Sequence, residues 1–272
     1  MNSDNNPPSE PAQKSTPPPT TKGGSRIIGR LLPAAIRLWL KSQTEQVEAL
    51  SIDIEGRDRQ ILSGEISGVS VSAQQAIYQG IALSQLQLSA NDISINIRQV
   101  IRGKPLRLLK AFPVIGKVVL TEADLNVSLS SSLLGNGLKD FWRSLLQAPD
   151  FATIVEERYG QLALGEDLML KSAQIRLCDR SLALSFYPQT THQTAQRPIV
   201  LATALTLIEE HYLQLTSPHW LETIEELTYP IQGQPIEVLD GYQWDLGKDT
   251  QIKALTIQTQ QLHCTGQLMV KP

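Results

Sequence analysis

The sequence predicts an α+β fold in which a long, curled antiparallel β-sheet carries an N-terminal helix packed on or in it. Three observations lead there. The apolar period is helical up to about residue 46 and alternating from Val47 onward. The wet positions of the alternating segments are mostly Ser, Gln and Asn, as in an antiparallel sheet with one solvated face curled round an apolar interior. Aromatic residues make up 5% of the chain, so the interior has to be filled by aliphatic side chains.

Residues 1–25 hold six prolines and only Met1 and Ala12 as apolar side chains. They cannot bury enough surface to offset their ordering entropy and read as a disordered tail. Ser25 then caps RIIGRLLPAAIRLWLKSQ. At about 100° per residue, Arg26, Arg30, Arg37 and Lys41 share one stripe, opposite Leu31, Leu32, Ala35, Leu38 and Trp39. Two readings fit this segment: an interfacial helix with its cations at lipid headgroups, and a core helix with one wet edge.

Leu50, Ile52 and Ile54 alternate with Ser51, Asp53 and Glu55 in a strand that Gly56 ends. Ile61–Ser63 and Val69–Val71 read as short strands, and Ala73–Gln79 as a helical turn closed by Gly80. Residues 81–97 form the clearest strand segment, with a bulge near Ser84–Gln85 and a turn at Asn91–Asp92 to explain two slips in its alternation. Glu122–Ser130, capped by Thr121, and Leu133–Gln147 read as helices. Residues 149–163 read as a linker. Strands follow at Leu168–Cys178, Ser181–Tyr187, Ile199–Leu207, Tyr212–Leu215, Ile252–Ile257 and Leu262–Val270, with a short acidic helix at Leu221–Leu227. The expected organisation is a tail over 1–25, a lobe over 26–148 and a β-rich lobe over 149–272, separate or part of the same fold.

Residues 1–121 hold 14 Lys/Arg against 9 Asp/Glu, and residues 122–272 hold 10 against 18, so the chain is electrostatically polar. There is no GxSxG, P-loop, GxGxxG, HExxH or EF-hand pattern, and the four histidines stand at no metal-ligand spacing. Asp53, Glu55 and Asp58 read as a wet face. No catalytic residue, metal or cofactor is expected. The acidic total and the lack of a recognition motif argue against nucleic acid. No secretory signal is legible, and no run approaches ~18 uncharged apolar residues. The expected location is cytoplasmic, peripheral on a membrane.

Three stretches, RIIGRLLPAAIRLWLKSQTEQVEAL, IEGRDRQILSGEISGVSVSAQQAIYQGIALSQ and IRQVIRGKPLRLLKAFPVIGKVVLTEADLN, resemble the cyanobacterial-type branch of the LmeA-like phospholipid-binding family. The closing DLGKDTQIKALTIQTQQLHCTGQLMVKP resembles it too. The resemblance implies phospholipid binding and a fold like that of tubular lipid-binding proteins, where a curled sheet wraps a helix around an acyl-chain groove. It supplies no catalytic residues.

On these grounds a phospholipid or other acyl lipid and an anionic membrane surface are the expected partners. An accessory or scaffold protein that docks on a membrane or a membrane enzyme without holding lipid is the alternative, and a lipid-processing enzyme ranks below both. The expected apolar groove uses Leu38, Leu86, Leu88, Ile95 and Ile97. The helix bearing Arg26, Arg30, Arg37, Trp39 and Lys41 lies in that groove or on the membrane. Between Asp92 and Glu122 there is no acidic residue. Arg98, Arg102, Lys104, Arg107, Lys110 and Lys117 in that interval are the expected headgroup contacts.

Overall fold

A computed structural model describes residues 28–165, 168–190, 193–247 and 251–272, so the expected tail lies outside the described residues. The elements in order are α1 (Ile28–Gln43), β1 (Gln46–Glu55), α2 (Asp58–Ser63), β2 (Glu65–Tyr78), β3 (Ile81–Ser94), α3 (Ile97–Val100) and β4 (Phe112–Thr121). Then come α4 (Glu122–Ser128), α5 (Ser132–Leu145), α6 (Pro149–Tyr159), β5 (Met169–Cys178), β6 (Ser181–Gln189), β7 (Ile199–Ile208) and β8 (Tyr212–Trp220). The chain closes with β9 (Gln234–Pro235), β10 (Gln243–Asp245), β11 (Gln251–Gln258) and β12 (Gln261–Val270). Two antiparallel sheets result. The first has the order β1-β2-β3-β4-β12-β11 and the second β10-β8-β7-β6-β5, with β9 beside β8. This is the expected α+β class. The first sheet draws on both ends of the chain, because β12 pairs with β4 along its whole length, from Gln261–Thr121 to Val270–Phe112.

The second sheet packs against α5 and α6. Trp142 and Leu145 of α5, Phe151 and Val155 of α6, Phe186 of β6 and Trp220 of β8 are buried in one cluster, which also takes in Leu120 of β4 and Ile257 of β11. The few aromatics of the chain are concentrated here rather than in the first sheet. Side chains of α4 complete the joint. Asn126 donates to the Ile175 carbonyl and accepts from the Ile175 amide, both at 2.8 Å, and Glu122 accepts from the Leu177 amide at 2.8 Å.

Several local expectations give way to longer-range order. Ile61–Ser63 is helical, inside α2, where Gln60 accepts from the Arg57 amide and Gly64 ends the helix at φ 94°. A Cβ on Gly64 would stand 2.5 Å from the Ile95 carbonyl oxygen, so only glycine allows this approach to the end of β3. The stretch from Ala73 to Gln79 is not a helical turn: Ala73 to Tyr78 are the last part of β2, and only Gln79 lies in the turn that follows. β3 runs through Asn91–Asp92 without a turn and keeps an unbroken register with β2 at Ser84–Gln85. Residues 149–159 form α6 rather than a linker, with Pro149 in the first turn, where its missing N–H costs nothing. The acidic segment 221–227 shrinks to a single 3₁₀ turn, Ile224–Glu226. Its buried Leu221, Ile224 and Leu227 are spaced by three, which suits a three-residue turn better than an α-helix.

Thr121 caps α4 as expected. Its hydroxyl accepts from the Asp124 amide at 3.1 Å, and the Asp124 carboxylate accepts from the Thr121 amide at 2.7 Å and from the Ser84 hydroxyl. Burial alone would push the Asp124 carboxyl up, but the hydrogen bonds from Ser84 and Thr121 together outweigh it and hold it below the usual carboxylate range. A depressed folded-state value means stability that is present above the unfolded value, about pH 3.9, and lost as pH falls through the folded one. Asp124→Asn is expected to flatten the acid limb of a urea-midpoint-against-pH profile. An acid limb as steep as in the wild type would show that Asp124 is not its source.

Candidate functional site

The concave face of the first sheet and α1 enclose a half-open groove of about 670 Å³. The volume is in the range of small-molecule and cofactor sites. Its walls come from paired strand positions. The pairs Ile66–Ile93, Val69–Ala90, Val71–Leu88, Ala73–Leu86, Ala76–Leu83 and Tyr78–Ile81 are in register between β2 and β3, and all of these residues except Ile81 line the groove.

The inward phase changes between Val69 and Ile66 and again between Ala73 and Ala76 on β2. It changes at the partner positions, Ala90 to Ile93 and Leu86 to Leu83, on β3. One left-handed residue marks each change, Asp92 at φ 54° and Gln75 at φ 51°. Because both strands slip together, no residue is gained or lost. The sheet coils while its apolar face stays turned inward, where a one-strand slip would turn it out. β4 contributes Phe112, Val114, Gly116 and Val118 at strict alternation, and β12 contributes Cys264, Gly266, Leu268 and Val270 together with Gln267.

From α1 come Ile36, Trp39 and Leu40. Arg37 and Lys41 are exposed on the far side of the helix. Arg26 and the Arg30 side chain lie outside the described residues. Among the expected groove residues, Leu86, Leu88 and Ile95 line the cavity. Leu38 does not. It is two residues, about 200° of helix, past Ile36, and is 72% exposed. Ile97 does not line it either, because the chain has left β3 and entered α3, where Ile97 is buried with Ile61 and Val100. Among the described lining residues Lys271, just past β12, carries the only charge. Burial pushes the Cys264 thiol up from its usual value.

The basic stretch closes one end of the groove. Leu106 and Leu108 line the cavity, while Arg98, Arg102, Lys104, Arg107 and Lys110 are exposed around them. Buried Asn96 holds this loop in shape. It donates to the Pro105 carbonyl and to Gln99 Oε1, each at 3.0 Å, and accepts from the Arg107 amide at 2.7 Å. The Ile95–Leu108 bridge and the Leu109 amide bonded to the Ser94 carbonyl add backbone ties. Lys117 stands apart from the other five. Its neighbours Gly116 and Val118 face the groove, so alternation turns Lys117 to the outer face, by a shallow depression shared with Asp53 and Gln87. Arg57, just before α2, and Arg59 within it, not foreseen as site residues, are exposed at the same end as the loop.

Among the described residues no group of three or more His, Cys, Asp or Glu is placed to hold a metal ion. None of the described helices is long and apolar enough to cross a membrane. No match was found among curated proteins or solved structures. The sequence model of the LmeA-like phospholipid-binding family matches residues 23–267, nearly the whole chain. A match of that extent, over a chain whose first sheet encloses an aliphatic groove, places this protein in the LmeA-like phospholipid-binding family.

Proposed function

We propose that the protein is a non-catalytic lipid carrier that takes the acyl chains of a phospholipid into the groove under α1 and works peripherally at an anionic membrane surface. The observation that carries this reading is the lining, which is mostly aliphatic along six strands and has one charge among the described residues, at its end. Such walls favour hydrocarbon at about 0.8 kcal/mol for each methylene removed from water. They offer no carboxylate or imidazole for acid–base chemistry among the described lining residues. The headgroup stays outside, where Arg98, Arg102, Lys104, Arg107 and Lys110 supply positive charge for phosphates. Each cation close to an anionic leaflet contributes about 1 kcal/mol, reduced by salt.

Mass spectrometry of gently purified protein tests the proposal and is expected to find stoichiometric phospholipid. Cys264 gives a second readout. With its thiol pushed up by burial, it holds little thiolate at neutral pH and should alkylate slowly. In a Cys178→Ser background, removing lipid is expected to speed maleimide labelling of Cys264, and adding lipid back to slow it. Bare protein, with labelling indifferent to lipid, would rule the carrier out.

A further inference from the structure

The end of the first sheet that carries the basic loop is built from segments far apart in sequence, and its surface is more than basic. α2 and α3 share one buried cluster through Ile61, Ile97 and Val100, beneath Leu106 and Leu108 of the loop. The Ile95 amide bonds to the Gly64 carbonyl at 2.8 Å and locks α2 to the end of β3. β12 runs antiparallel to β4 and ends opposite Phe112, so Lys271 arrives at this end as well. Within 57–63 and 97–111 there are seven cations, Arg57, Arg59, Arg98, Arg102, Lys104, Arg107 and Lys110, against one carboxylate, Asp58. Among the described residues these cations form no ion pair. Three large aliphatic side chains stand out among them, Leu62 at 46% exposure, Ile101 at 43% and Leu109 at 59%.

Single exposed aliphatics need no explanation. Three at one end, among cations that form no ion pair among the described residues and continuous with an apolar groove, have one. We infer that this tip docks end-on onto an anionic bilayer, with Leu62, Ile101 and Leu109 inserted among the lipids and the cations of α2 and the α3–β4 loop at the phosphates. The inference rests on the reading of the groove as an acyl-chain site. It adds α2 as a docking element and makes the contact partly apolar. It also sets the groove end lined by Leu106, Leu108 and Lys271 against the bilayer, where a lipid can pass without crossing water. Interfacial binding of this kind combines buried apolar area with attraction to anionic lipid. A nucleic acid would satisfy the cations but leave the three aliphatics exposed to water, which is why a bilayer is the better partner.

The test is co-sedimentation of the full chain with phosphatidylcholine vesicles with and without phosphatidylserine. Wild type is expected to bind the phosphatidylserine vesicles, less as salt rises. Arg57→Gln with Arg59→Gln, and separately Leu62→Glu with Ile101→Glu and Leu109→Glu, are each expected to weaken binding roughly tenfold or more. These side chains are at the surface, so the fold should survive, and thermal unfolding checks that it does. Lys117→Gln, on the outer face, is expected to stay within about twofold of wild type. Wild-type affinity in the aliphatic variant overturns the inference. So does a Lys117→Gln loss as large as that of the α2 variant, or competition by transfer RNA that abolishes docking while the aliphatic variant is displaced from RNA no more easily than wild type. The groove is read separately, by lipid stoichiometry after loading from detergent micelles. Tip variants are expected to load as wild type does. Protein that never loads but still docks through the tip refutes the carrier reading and leaves docking standing.

Discussion

Gly116→Phe is expected to empty the groove of lipid while the protein stays folded. Gly116 is in the middle of β4 with its missing side chain directed into the cavity, and a Cβ built there meets only Leu88, at 3.4 Å. A phenyl ring on that Cβ therefore extends into open groove rather than into backbone. Glycine inside a strand also weakens it, and an aromatic residue is a better strand former, so folding should not suffer. The ring occupies the space of several methylenes. If four lose their place, about 3 kcal/mol of burial is forfeited, which is on the order of a hundredfold in affinity. The measurement is phospholipid recovered per mole of protein, with the thermal midpoint as the check on folding. Wild-type lipid stoichiometry in a folded Gly116→Phe protein would mean that lipid does not occupy this groove.

Trp142→Ala should produce the largest loss of stability, far from the groove. Trp142 is fully buried and its indole N–H donates to the Ala163 carbonyl at 3.1 Å. Its ring meets Phe186 and Phe151 edge-on, with centroids 5.0 and 5.7 Å away. Truncation leaves a cavity where three aromatic rings meet and strips the Ala163 carbonyl of its partner. Such replacements cost about 3–5 kcal/mol, a large share of the ~5–15 kcal/mol that holds a domain together. Urea unfolding of the variant is expected to give a lower midpoint with an unchanged slope. The cluster runs from Trp142 to Leu120 and Ile257 of the first sheet, so the two sheets should be lost in one transition. A shift worth less than about 1 kcal/mol, or two separated transitions, would show that this cluster does not tie the sheets together.

The sequence by itself determined the class of the fold, the strands β1, β3, β5 to β8, β11 and β12, and the cap of α4, because these depend on period and on neighbours three or four residues away. Thr121 caps α4 through such a local bond. It also determined which residues were available for a greasy interior, and Leu86, Leu88 and Ile95 line the groove. Phase slips were visible too, but not their meaning. From Ala73 to Ala76 the three-residue step imitates a helical turn, and only the matching step on β3 shows that two strands coil together. Leu38 and Ile97 were equally apolar in sequence. The rotation of α1 and the departure of the chain into α3 put them elsewhere, and no local pattern encodes either. Cys264 and Val270 reach the groove only because β12 pairs with β4 across about 150 residues of chain. Lys117 and Lys110 belong to one basic run, yet strand alternation turns Lys117 to the outer face of the sheet while Lys110 stays with Arg57 and Arg59 at its end. Period and capping are short-range and legible in one dimension, whereas the groove and its basic end are made by pairing and packing between distant segments, which only the folded chain brings together.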